Sequence, residues 1–490
     1  MSAPVYRNPV LDADWSDPDV IRVGDDFYLT ASSFHRVPGL PVLHSRDLVG
    51  WSFVGHALPR LVPEGDFVTP QLGGGVWAPA LRHHDGLFWI FYPDPDRGIF
   101  VVTAPSPAGP WSDPWCIKPG RGLIDPCPLW ATDGSAYLVH AWAKSRAGIN
   151  NVLTGHRMRP DARELLDDGV VIIDGEGICT GLEGPKAYQR DGEFWILAPA
   201  GGVATGWQMA FRSKDFFGPY EHRIVLATGT TDVNGPHQGA WVTAPDDSDW
   251  FVHFQDRAAR GRVVHVQPMR WDDDGWPVIG ADGEPVRTHA IPVPGHALTA
   301  PATSDAFDGP AFGPQWTWQA NPEPSWYEML HPGLRLFLHE DPGDLRRLPT
   351  VLGQRLLAPS VVSVELRLSE DGPARAGITI LGRGYAWLGL ERTDEGSWLV
   401  CRATASPESE GVGGFDASAP AGPEHDLVPP VPCTSETVTL TVHIGSDTVC
   451  RLGEVSYTPA PGFWTGTTVG LFATGAGGHA DFGPVRVESP

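Results

Sequence analysis

Asp25-Asp-Phe-Tyr-Leu29, Asp85-Gly-Leu-Phe-Trp-Ile90, Asp133-Gly-Ser-Ala-Tyr-Leu138, Asp191-Gly-Glu-Phe-Trp-Ile196 and Asp246-Asp-Ser-Asp-Trp-Phe251 are five copies of one local signal. Each places a turn former ahead of a short run that ends in aromatic and apolar residues. Asp-Gly between two short strands favours a tight hairpin, because both residues accept a positive φ at low cost. The aromatic run that follows fits a pleated, half-buried strand. Successive copies lie roughly 50–60 residues apart, close to one four-stranded propeller blade with its loops. Several copies carry a second mark, an aromatic residue after Gly: Ser45-Arg-Asp-Leu-Val-Gly-Trp51, Pro107-Ala-Gly-Pro-Trp111 and Ser213-Lys-Asp-Phe-Phe-Gly-Pro-Tyr220. Five repeats of a hairpin unit predict an all-β, five-bladed β-propeller over residues 1–295. The competing reading is an irregular pair of β-sandwiches.

Outward from the repeats the pattern changes. The Pro- and Ala-rich stretch 292–303 reads as a linker, with the join between domains set at 296–303. Beyond it, Val362, Val364, Leu366 and Leu368 alternate with Ser363, Glu365 and Arg367, and Leu440, Val442 and Ile444 alternate with Thr439, Thr441 and His443. Period-two alternation is the signature of a sheet with one face buried. Residues 304–490 are therefore expected to form a β-sandwich. Within it, residues 405–432, rich in Ala, Ser, Gly, Pro and Glu, are expected to be a mobile loop.

The chain of 490 residues is long enough for two domains, and its 41% apolar content is enough for their cores. Gly (58) and Pro (49) are abundant, in keeping with short strands and tight turns. A formal net charge of −24 argues against nucleic acid as a partner and leaves a neutral sugar unopposed. No stretch approaches a membrane span. The beginning, Met1 to Arg7, lacks a basic-then-apolar signal pattern, and the six cysteines show no C-x-x-C spacing. A cytoplasmic protein with free thiols is the expectation. Oligomeric state stays open.

Counting back from each turn locates the candidate site. Asp17, Trp77, Asp125 and Glu183 each stand eight residues before Asp25, Asp85, Asp133 and Asp191, and His237 stands nine before Asp246. Pro follows within two residues in the first four copies. If the repeats superpose, these five side chains occupy one equivalent position on successive inner strands and converge on the propeller axis. Taken singly, each has a plainer reading: Asp-Pro pairs start turns, Trp77 is core, Glu183 is a loop charge, His237 is a satisfied buried histidine. A position held only for structure would repeat one residue type. Three carboxylates, an indole and an imidazole at shared spacing instead predict a pocket.

Hydrolysing a glycoside needs an acid to protonate the leaving oxygen and a carboxylate on the opposite face. A third carboxylate near the acid raises its pKa by like-charge repulsion. Three carboxylates at one channel mouth suit that chemistry, and no Ser-His-Asp, P-loop or dinucleotide motif competes with it.

Residues 1–300 resemble glycoside hydrolase family 43. The resemblance rests on Asn8-Pro-Val-Leu11, Trp15-Ser-Asp-Pro-Asp-Val-Ile-Arg22, Ala31-Ser-Ser-Phe34, Gly75-Val-Trp-Ala-Pro79, Ile124-Asp-Pro126, Glu183-Gly-Pro-Lys186, Gly235-Pro-His-Gln-Gly239 and Gly261-Arg262. The remainder resembles the concanavalin A-like sandwich appended to this family's β-xylosidases. Ser16 and Asp19 depart from the family pattern around Asp17, where many members have Pro and Ser. The resemblance implies an inverting, exo-acting enzyme with Asp17 as general base, Glu183 as general acid and Asp125 as its pKa modulator. It places Phe34 and Trp77 at the glycone and Arg262 on sugar hydroxyls. It also implies a hydrated cation, Ca²⁺, near His237, and a sandwich that helps close the pocket. The expected substrate is a xylo- or arabino-oligosaccharide, cleaved by a β-D-xylosidase with possible α-L-arabinofuranosidase activity. The alternatives are an endo-arabinanase, which needs an open groove, and a non-catalytic carbohydrate-binding propeller, which needs the carboxylates apart or turned outward.

Overall fold

The computed structural model describes residues 4–369, 371–405 and 417–489. Among these, five four-stranded antiparallel sheets follow one another in chain order. The first blade contains Asp19–Val23, Asp26–Thr30, Gly39–Ser45 and Ser52–Leu58. The innermost strands of the next four blades are Ala80–His84, Leu123–Trp130, Lys186–Arg190 and His237–Thr243. Each repeated signal forms the turn from an innermost strand to its neighbour, as in the pairs His84↔Leu87 and Arg190↔Glu193. At Asp85-Gly86 the φ values are 50° and 73°, and at Asp191-Gly192 they are 53° and 78°. Two consecutive positive φ values are what a tight hairpin matched to the strand twist requires. The expected five-bladed propeller is therefore the fold of the first half.

Apolar clusters fill the spaces between blades. Ile124, Val139, Leu153, Ile196, Phe211 and Phe216 form one such layer. The ring closes without strand exchange. Val5–Arg7 pairs with Thr288–Ala290, and Asn8 brackets Val266, its Nδ2 donating to the Val266 carbonyl at 2.8 Å and its Oδ1 accepting the Val266 N–H at 2.9 Å.

The second half is a sandwich of two antiparallel sheets around one core, in which Leu334, Val362, Val364, Leu366, Leu440 and Val442 are buried. The predicted alternation is what buries them: along Ser360–Leu368, alternate residues from Ser360 on are buried. One expectation is corrected. Within 405–432, His425–Asp426 and Val431–Pro432 pair with Gly396–Ala403, because that strand otherwise offers an unpaired sheet edge. Residues 406–416 of the expected loop lie outside the described residues. The cysteines are free, and no helix among the described residues is long and apolar enough to cross a membrane.

The sandwich is bolted to backbone groups of the propeller. Val37 and Trp318 exchange N–H···O bonds of 3.0 and 2.6 Å, and the Asn321 side chain brackets Leu61 at 2.8 and 3.0 Å. Trp51 N–H donates to the Thr299 carbonyl at 3.1 Å. Buried backbone groups that pair across a joint resist its opening, because separation strands them until water enters.

Candidate active site

Four of the five equivalent positions, Asp17, Trp77, Asp125 and Glu183, converge on one cavity, and irregular backbone marks several of the five. Asp17 and Asp125 both have a positive φ, 56° and 55°. The strand pairing slips between Ile124 and Cys127 around Asp125, and between His237 and Gly239. A bulge of this kind leaves one residue out of the ladder and re-aims its side chain. The ladder resumes beyond it: Ser32, Trp77 and Glu183 N–H groups donate to Ser16, Pro93 and Pro199 carbonyls at 2.9, 3.0 and 3.2 Å. Left-handed backbone at a non-Gly residue is costly and clusters at functional sites. Here it turns the carboxylates of Asp17 and Asp125 into the channel.

Together with Phe34, Trp77 and Arg262, the three carboxylates line one cavity of about 670 Å³. Ser32 Oγ donates to Asp17 Oδ2 at 2.6 Å, and Arg262 Nη1 donates to Asp17 Oδ1 at 2.8 Å. Asp17 is thereby held in one orientation. The Gly184 N–H donates to Asp125 Oδ2 at 2.7 Å, tying Asp125 to the backbone immediately after Glu183. Phe34 is held by N–H···O bonds to Val76 of 2.7 and 2.9 Å. Gly75, at φ 83°, permits that approach, since a Cβ there would lie 2.3 Å from the Phe34 carbonyl oxygen.

The three carboxyl groups do not share one environment. Burial, and next the charge of Asp17, push the pKa of Asp125 up, while the Gly184 bond and the Lys186 cation pull against that rise. Burial, and next the charge of Asp125, push Glu183 up as well. Glu183 still has 35% of its side chain exposed, whereas Asp17 and Asp125 are buried. A carboxyl group that holds its proton and remains accessible is equipped to donate it. Carboxylates pushed together in this way titrate as a pair.

Asp19, the extra acid beside Asp17, takes no part in the cavity. It is fully buried, accepts the Leu81 N–H at 2.7 Å, and pairs with Arg82 at 2.8 Å and Lys186 at 3.6 Å. His237, expected to converge with the other four, does not line the cavity; it is fully buried behind Glu183, and its neighbour Gln238 lines the cavity instead. Its Nε2 lies 3.4 Å from Glu183 Oε1, yet among the described residues neither ring nitrogen has a hydrogen-bond partner. Burial, and next the Arg262 charge, hold its pKa down to about 3, so the ring is neutral.

The resemblance implied that the sandwich helps close the pocket, but sequence reasoning named none of the residues that do so. Arg383, Pro461, Trp464 and Thr465 of the sandwich line the same cavity. The Trp464 ring lies 5.8 Å from that of Trp77, which in turn lies 6.3 Å from Phe34. Aromatic faces in such a row suit the apolar faces of a sugar. The available signal was Gly462-Phe-Trp464 in a Gly- and Pro-rich loop, but nothing in the local pattern says which cavity such a loop reaches.

Comparison with known proteins agrees with this geometry. Residues 6–277 match the model for Glycosyl hydrolases family 43, and residues 304–488 match the beta xylosidase C-terminal Concanavalin A-like domain. A putative beta-xylosidase of Xylanibacter ruminicola is 40% identical over 79% of this chain and 72% of that protein. A non-reducing end alpha-L-arabinofuranosidase of Bacteroides ovatus is 34% identical over 71% of this chain and 65% of that protein. Among solved structures, the Bacteroides ovatus xyloglucan PUL GH43B superposes with a TM-score of 0.83 at 27% identity, covering 99% of this chain and 100% of that chain.

Proposed function

The chain belongs to glycosyl hydrolases family 43 and is a glycosidase, and from that premise we propose that it is an exo-acting β-D-xylosidase. It releases xylose from the non-reducing ends of xylooligosaccharides, with inversion at the anomeric carbon. The observation that carries this reading is the cavity itself: three carboxylates with unlike environments at its base, and a wall supplied by the second domain. Such a wall suits removal of a terminal residue. An endo-arabinanase would need a groove open at both ends.

In the proposed mechanism, Phe34 and Trp77 seat the terminal sugar, and Arg262 orients Asp17. Asp17 takes a proton from water as that water attacks the anomeric carbon. The bond to the leaving oxygen breaks on the other face, and that oxygen receives the proton of Glu183. Asp125 acts through Glu183: its negative charge keeps the acid protonated, and its bond to the Gly184 N–H holds that segment in place. Xylopyranose and arabinofuranose can present similar hydroxyls, so an α-L-arabinofuranosidase side activity is the second reading. A panel of nitrophenyl glycosides, with product analysis on xylooligosaccharides, tests both. Release of internal oligomers instead of xylose would overturn the exo reading.

A hydrated Ca²⁺ beside His237 is a further part of the proposal. The fit is of one kind only: a buried, neutral imidazole whose nitrogens lack partners. Among the described residues no group of three or more His, Cys, Asp or Glu is placed to hold a metal, so water would supply the other ligands that a hard cation needs. Bound there, the ion would supply positive charge and ordered water at the channel axis.

A further inference from the structure

Several buried guanidinium groups in this chain face a carboxylate. Arg82 pairs with Asp19 at 2.8 Å, Arg262 with Asp17 at 2.8 Å, Arg260 with Asp12 at 2.7 Å and Arg346 with Asp344 at 2.6 Å. Arg36 and Arg355, both half-buried, do not follow this pattern. They meet at the joint between propeller and sandwich, around a cavity of about 30 Å³ that Asp14, His56, Gln354 and Thr468 also line. Among the described residues neither forms an ion pair with a carboxylate. Arg36 Nη2 donates to Thr468 Oγ1, while Arg355 Nε donates to the Asp14 backbone carbonyl and its guanidinium lies 3.7 Å from the centre of the Trp15 ring.

The local charge does not balance. Asp14 is the one carboxylate lining the cavity, and its Oδ1 is occupied by Ser16 Oγ at 3.1 Å and the Arg262 N–H at 3.0 Å. His56 adds no counter-charge: burial, and next the charge of Arg355, hold its pKa down to about 3. Two cations therefore face one carboxylate, whose single charge acts on both and leaves one positive charge over. Both arginines have their pKa pushed down to about 10, chiefly by burial. An unbalanced charge in a partly desolvated joint is costly, and a ligand of opposite sign relieves that cost.

We propose that a small monovalent inorganic anion, chloride in ordinary buffers, binds between Arg36 and Arg355 and locks the two domains together. The one positive charge left over is what a monovalent anion balances, and a cavity of about 30 Å³ has room for an ion of about the size of water. The site also bears on the catalytic base. Arg355 holds Asp14, Asp14 holds the backbone of Arg262, and Arg262 holds Asp17.

Thermal unfolding of the full chain, in chloride against gluconate at constant ionic strength, tests the proposal. Chloride should raise Tm saturably by a few degrees, as expected for a ligand of the folded state, and gluconate should not. Crystals soaked in bromide should show anomalous density between the two guanidinium groups. Arg36→Gln should abolish the chloride dependence and, at low chloride, unfold no lower than the parent, since an unmatched charge has gone. A variant that loses the same Tm at every chloride concentration would mark Arg36 as a plain packing residue. Equal Tm in both salts, or a cavity holding only water after the bromide soak, would overturn the proposal without need of any variant.

Discussion

Arg262 and Asp17 are 245 residues apart in the chain and 2.8 Å apart in the fold, with the guanidinium donating to Asp17 Oδ1. Their meeting is also the closure of the ring, since Asp17 leads into the first blade and Arg262 opens the third strand of the last. Arg262→Met should therefore lower kcat about 10²-fold or more, the scale expected when a reacting group is displaced by about 1 Å. It also strands a buried carboxylate, at about 3–5 kcal/mol. Steady-state kinetics beside a denaturant titration separates the two effects. Unchanged kcat in a folded variant would remove Arg262 from the site.

Glu183→Ala should cost about 10²–10⁴ in rate on xylooligosaccharides, whose leaving group needs a proton. On an aryl xyloside with a leaving group of low pKa the loss should be much smaller. Asp17→Ala should damage both substrates alike, because water must be activated either way. Equal losses for Glu183→Ala on the two substrates would contradict its role as acid.

Asp125→Asn removes a like charge from beside Glu183. The acid's pKa should fall, and the alkaline limb of kcat/KM should move to lower pH, while burial keeps it above an ordinary carboxyl. The same shifts have a consequence for stability. Folded Asp125 and Glu183 bind protons more tightly than the unfolded chain does, so their contribution is present below the ordinary carboxyl range and is lost as pH rises through the raised values. Glu183→Gln should accordingly gain Tm over the parent as pH increases through that window. A Tm difference independent of pH would contradict the raised pKa.

Residues 1–295 expressed alone should be insoluble or much less active, because the backbone bonds between Val37 and Trp318 would be exposed and the wall carrying Trp464 would be missing. Trp464→Ala in the full chain should raise KM for xylotriose more than for an aryl xyloside. A soluble fragment with full exo activity would overturn this.

Thorough chelation should lower activity or Tm if the proposed cation sits at His237, and added Ca²⁺ should restore it. Neither change on chelation would count against the metal.

The sequence by itself determined the blades, because a hairpin turn and a two-residue alternation are local: Asp85-Gly86 needs only its own φ values, and Val362 to Leu368 need only their period. It also determined the candidate carboxylates, since a repeat carries each residue to the same radial position, which is how Asp17, Asp125 and Glu183 could be named together. Tertiary structure alone decided what is set by non-local packing. Ring closure brought Arg262 to Asp17, buried Asp19 among Arg82 and Lys186, and set His237 behind Glu183. Docking of the sandwich placed Trp464 and Arg383 over the cavity and Arg36 against Arg355. Those contacts join segments hundreds of residues apart, and no pattern within either segment encodes which face of one will meet the other.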